Sequence, residues 1–168
     1  MPETTVTEPL APLTPDAVIS AFNYLHVVKA DDAEAASGFA AAEPRMPALL
    51  VDIATRIVIP VTALPGPDTD TACADTFALE ALGRVFLNTL STWERTGPDA
   101  AEGIARAVIG FAAEILTEDH ETVADILHQL EAVGMGQALA AHSDPRARLT
   151  TVQPSQGRHS ASGDRIAP

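Results

Sequence analysis

Between Asp75 and Arg95, apolar side chains return at intervals of three and four residues: Leu79, Leu82, Phe86, Leu90 and Trp93. Glu80, Arg84, Asn88, Ser91 and Arg95 fill the opposite side of the same pattern. That period is the one an α-helix imposes, and a helix with one apolar face needs something to cover it. The stretches on either side carry the same period, so the cover is other helices, and the chain is constrained to an all-α bundle organised around this segment. The competing element is a strand over residues 57–61, where β-branched residues cluster, but no second strand exists for it to pair with.

The first helix starts by local rules. Thr14 can cap it, Pro15 takes the first helical position and Asp16 complements the positive end of the helix dipole. Val18, Ile19, Phe22 and Leu25 form its inner stripe, and it fades near residues 30–32. Residues 31–44 are alanine-rich and acidic and are interrupted by Ser37-Gly38, a composition that leaves a helical turn and a loop both open. Residues 47–59 form a helix that is apolar nearly all round, relieved by Asp52 and Arg56 at an i, i+4 spacing. Such a helix belongs at the centre, and Pro60 is expected to end it.

The breaker cluster Leu64-Pro65-Gly66-Pro67-Asp68 makes a loop, and the third helix then runs from Asp70 or Thr71 to Thr96. Gly97 closes it and Pro98 opens a fourth, over residues 98–116, which buries Ile104, Val108, Phe111 and Ile115. Its Gly103, Ala107 and Gly110 form a line of small residues where another helix can approach closely. The fifth helix is expected over residues 118–133, with Val123, Ile126, Leu127 and Leu130 inward. Gly134 and Gly136 interrupt it before a short final turn over residues 137–142. The reading is a single bundle of about five helices over residues 14–142, a disordered segment over 1–13, and a disordered, mildly basic tail over 143–168.

Composition narrows the function. The apolar share is 46% but aromatics are only 4% of the chain, so the side chains are thin and suit closely packed helices. Net charge is -13. Residues 1–142 hold six Lys/Arg against 21 Asp/Glu, a net of -15, whereas residues 143–168 hold four Arg against two Asp, a net of +2. An acidic body of this kind repels nucleic acid and anionic lipid, so neither direct nucleic-acid binding nor membrane attachment is expected. Cys73 is the single cysteine, which excludes an internal disulfide and any thiolate cluster. The first fifteen residues lack the basic and apolar regions of a secretory signal, and the most apolar window, residues 47–63, is too short and too charged to span a bilayer comfortably. These features fit a soluble, cytoplasmic protein.

Candidate chemistry is sparse. Glu121, Asp125 and His128, with His120 nearby, share one face of the fifth helix at spacings of four and three, a layout that can offer two carboxylates and an imidazole to a metal. The same face is where a soluble helix is polar in any case, and simple solvation is the reading this pattern favours. Asp125-x-x-His128 matches one carboxylate-x-x-His element of four-helix di-iron proteins, but those sites need two copies and two more inward carboxylates. This chain has one copy, with Ala, Leu and Val where the other acids would stand, so that reading is rejected. His26, at the edge of the first helix's apolar stripe, reads as a hydrogen-bonded packing residue rather than a base, and Cys73 as a small apolar filler rather than a nucleophile. Phosphate-loop, dinucleotide, zinc-protease and serine-hydrolase motifs are all absent, so no catalytic residue and no cofactor are expected.

The function these features favour is a non-enzymatic acidic interaction or scaffold protein, acting on another protein or on itself as a homodimer. Trp93, Phe86 and Leu90 and the seam at Gly103 and Gly110 are the candidate contact residues. A small-ligand or metal-binding bundle is the first alternative, and an acidic body that mimics nucleic acid is the second.

Overall fold

The computed structural model describes residues 12–62, 74–117 and 121–143, and these residues hold six α-helices and no strand. The helices are α1 (Pro15–Lys29), α2 (Ala33–Ala42), α3 (Met46–Thr62), α4 (Ala74–Glu94), α5 (Ala101–Phe111) and α6 (Val123–Ser143). The expected all-α bundle is present, with six helices where about five were expected. The extra helix is α2, in the alanine-rich stretch that the composition left open. Cys73, His120, the start of the third helix and most of both terminal segments lie outside the described residues.

The local rules at α1 hold. Thr14 Oγ1 accepts from the Ala17 amide at 3.2 Å, and Pro15 and Asp16 open the first turn. The helix closes on Asp31, whose φ of 59° places it in the left-handed region. The Asp31 amide donates to Val28 O at 3.1 Å and the Asp32 amide to Val27 O at 3.0 Å, a pair of bonds that satisfies the last carbonyls of the helix. Asp32 then caps α2 through Oδ1, which accepts from the Ala35 amide at 2.9 Å. A cap of that kind, followed by ten residues rich in alanine, makes a helix where composition alone allowed a loop.

The core sits along α1 and α3. Val18, Ala21, Phe22, Tyr24, Leu25 and Val28 of α1 are buried, and α1 packs on α2, α3, α5 and α6. Ile19, expected on that inner stripe, is 42% exposed because it stands about 100° round the helix from Val18 and beyond the arc the neighbours cover. In α3, nine apolar residues between Met46 and Val58 are buried, so the helix read as central is central. It does not stop at Pro60. A proline this close to a helix end forfeits one amide bond, and the buried Thr62 holds the last turn by donating Oγ1 to Val58 O at 2.8 Å.

Thr62 also fixes how α4 lies. A Cβ added to Gly83 would come 2.8 Å from Thr62 Cβ and 2.9 Å from Thr62 Cγ2, nearer than side chains approach one another, so the glycine is what lets α4 down onto α3. The small-residue crossing is therefore here and not along Gly103, Ala107 and Gly110. Gly110 would meet nothing within 4 Å, and Gly103 only the Trp93 ring.

The chain from Gly97 follows the expected order, with the detail that three helical forms share residues 98–116. Gly97 has φ of 110°, Pro98–Ala100 form a 3-10 turn, α5 follows, and Ala112–Leu116 form a π turn. Ile104 and Val108 are buried as expected, while Ile115, on the π turn, is 40% exposed. α6 runs unbroken through Gly134 and Gly136, which were expected to interrupt it. Each glycine costs a helix about 1 kcal/mol. That cost is offset because α6 packs along α1, where a Cβ on Gly134 would rest 3.4 Å from Val18 Cγ1, and because Ile126, Leu127 and Ala138 are buried.

Candidate functional site

Among the described residues, the outer face of α4 carries more exposed large apolar side chains than any other helix does. With Gly83 and Leu90 turned inward, the opposite side centres on Val85, which is 62% exposed. Phe77 and Leu82 are 54% and 55% exposed, and Ala78, Ala81, Asn88, Thr89 and Thr92 complete the strip. Trp93 stands at one shoulder, half exposed, with its ring over Gly103. Ile59 and Val61 are also exposed, on the end of α3 that crosses α4.

This corrects the reading of the helix. The stripe Leu79, Leu82, Phe86, Leu90 and Trp93 was expected to face the core together, but only Leu90 is fully buried, and Phe86 stacks on Phe111 with ring centres 5.2 Å apart. The close approach at Gly83 sets the rotation of α4, and that rotation carries Leu82 and Trp93 outward. Of the candidate contact residues, Trp93, Gly103 and Gly110 are accessible, and Phe86 and Leu90 belong to the packing beneath. The strip carries no carboxylate. Its flanking charges are Arg84, paired with Glu80, and Arg95, which donates to Thr92 Oγ1 at 3.2 Å.

Glu121, Asp125 and His128 each make a separate local contact. Asp125 Oδ2 accepts from the Thr122 amide at 3.1 Å and the Thr122 hydroxyl at 2.7 Å, and Thr122 Oγ1 accepts in return from the Asp125 amide at 3.2 Å. That reciprocal arrangement starts α6. Thr122's two hydrogen bonds hold the Asp125 carboxyl below its ordinary pKa, the hydroxyl bond contributing most. Glu121 accepts from Gln129 Nε2 at 3.1 Å, and His128 Nδ1 donates to Ala124 O at 2.8 Å. Among the described residues no group of three His, Cys, Asp or Glu side chains converges as a metal would require. His26, read as a hydrogen-bonded residue at the edge of the apolar stripe, has such a partner. Its Nε2 lies 3.3 Å from Glu131 Oε2 and its ring centre 4.5 Å from that of His128, tying α1 to α6.

A cleft that sequence reasoning did not single out opens between α2 and the start of α5. Its volume is about 390 Å³, and it is lined by alanines of α2, by Asp99 and Glu102, and by Tyr24. Tyr24 is 2% exposed, and its hydroxyl forms no hydrogen bond to a described residue. Nor is that oxygen sealed in, so it ends at the cleft floor. Burial pushes the phenol above its ordinary pKa, and the negative charge of Glu102 adds to the effect, so the hydroxyl keeps its proton. The sequence marks Tyr24, the chain's single tyrosine, as a phenol among core positions that needs a polar partner, but it does not show what faces it.

No helix among the described residues is long and apolar enough to cross a membrane. No protein-family model, curated protein or solved structure matches the chain.

Proposed function

We propose that this protein is a non-enzymatic helical interaction protein whose contact surface is the outer face of α4, and that the occupant of that face is a second copy of the chain. The observation that carries the reading is the uncharged apolar strip from Phe77 to Trp93 on a molecule whose net charge is -13. Two copies of such a body repel wherever acids face acids, and the strip offers an approach without carboxylates. It is also suited to self-pairing. Phe77 and Trp93 lie eight residues to either side of Val85, on opposite shoulders of the helix. In an antiparallel pair with its two-fold axis at Val85, the Trp93 ring of one copy and the Phe77 ring of the other fall at the same height, about 12 Å from the axis, without colliding. Arg84, nearest the axis, already pairs with Glu80 of its own chain.

Sedimentation equilibrium tests this directly. The wild-type chain is expected to move from 17.5 kDa toward twice that mass as concentration rises through the micromolar range. Val85→Glu, which alters only an exposed position, is expected to stay monomeric and folded by circular dichroism. A wild-type chain that remains monomeric into the hundreds of micromolar overturns the proposal.

A further inference from the structure

We propose that the cleft between α2 and the start of α5 binds a primary ammonium group on an unbranched alkyl chain, with Asp99 and Glu102 at its rim and the Tyr24 hydroxyl at its floor as the three acceptors. The volume of about 390 Å³ falls within the range of small-ligand sites. The α2 wall is built from Ala33, Ala36, Ser37, Ala40 and Ala41, small side chains that leave room for a slender body and set one hydroxyl among four methyl groups. The opposite wall is acidic. Asp99 makes no hydrogen bond or ion pair with another described residue. Glu102 is bonded to Arg106 through Oε1, at 3.0 Å, which leaves its second carboxylate oxygen available.

Tyr24 supplies the independent indication. The side chain is 98% removed from solvent and its hydroxyl is open only on the cleft side, so whatever fills the cleft supplies the hydrogen bonds of that oxygen. It has no partner among the described residues. An ammonium group carries three N–H donors and no acceptor, matching three acceptor groups. An anion would meet two carboxylates, and the single phenol oxygen at the floor suits the point donor of an ammonium better than the paired fork of a guanidinium, which matches a carboxylate and not a phenol. The net charge of -13 also draws cations toward the molecule. The ammonium can come from a free alkylamine or from a lysine side chain, and the chemistry is the same for both.

The test is isothermal titration of the full chain with n-butylammonium, 1,4-diaminobutane and a lysine blocked at its amino and carboxyl groups. The ring-proton resonances of the single tyrosine serve as a second readout. Saturable binding of at least one probe is expected, together with a shift of the tyrosine signals, and the preferred probe tells a free amine from a lysine side chain. Tyr24→Phe keeps the buried ring and is expected to weaken that binding about fivefold, with Asp99→Asn and Glu102→Gln each costing about five- to tenfold. Glu114→Gln, an exposed acid beyond α5, is expected to change nothing. Butyltrimethylammonium, which has no N–H, is expected not to bind. The proposal is overturned if no probe saturates, if the trimethylated probe binds equally well, or if the Tyr24, Asp99 and Glu102 variants bind as the wild type does.

Discussion

Asp125 shows how a residue that reads as a ligand can be accounted for by the backbone it serves. Its carboxylate faces Thr122, two of whose donors it accepts, and the pair closes the first turn of α6. Those bonds favour the ionised form, so the folded-state pKa lies below the unfolded value. The stabilisation this gives is complete above the unfolded pKa of about 3.9 and disappears as pH falls through the lower, folded value. Asp125→Asn preserves the shape but cannot ionise. Melting temperatures measured from pH 7 to pH 2 are therefore expected to show the wild type ahead at neutral pH, with the gap closing on the acid side. A gap that stays constant with pH would mean that ionisation of Asp125 plays no part in holding the turn. His26 teaches the complementary point. Its place at the edge of an apolar stripe was enough to read it as a hydrogen-bonded residue, because an imidazole there needs one polar partner and little else, and Glu131 is that partner.

At the level of the helix, the decisive side chain is one that is missing. Gly83 admits α3 where any Cβ would collide with Thr62, and this sets the rotation of α4. Gly83→Ala adds helix propensity, worth about 1 kcal/mol, but forces two helices apart in a packed region. The second effect wins because the Cβ and methyl of a short, buried threonine, not the end of a flexible side chain, stand in the way. A net loss of about 1–3 kcal/mol is expected in chemical denaturation. Thr62→Ala in the same chain is expected to recover part of that loss, since it removes two of the three crowding atoms, and strict additivity of the two changes would show that the helices do not meet there. The same glycine marks where the sequence stopped being legible. α3 could be read as central because its apolar residues surround the helix and leave no choice of face. The start of α1 was legible because Thr14, Pro15 and Asp16 act within one turn. For α4 the large residues Leu82 and Trp93 outweighed a glycine in the pattern, although the glycine governs the crossing. The Tyr24 cleft was not legible, because Tyr24 meets Asp99 and Glu102 only after α1 and α5 come together across more than seventy residues of chain.

For the molecule as a whole, charge separates the possible occupants of the α4 face. At 0.01 M salt the screening length is about 30 Å, comparable with the length of α4, and at 0.15 M it is about 8 Å. Two copies that each carry -13 therefore repel across their whole approach in dilute salt and mainly at close range in physiological salt. Contact through an uncharged strip adds no ion pairs for salt to weaken. The dimer is accordingly expected to tighten as sodium chloride rises from 0.01 to 0.15 M, by roughly tenfold in its dissociation constant. A basic partner, the kind a mimic of nucleic acid would engage, gives the opposite slope, because its attraction to the acidic body is what screening removes. Sedimentation across that salt series distinguishes the two by sign alone. Loosening of the self-association with added salt would mean that charges of one copy, Arg84 or Arg95, reach acids of the other, and the apolar strip would then not be the surface that holds the pair together.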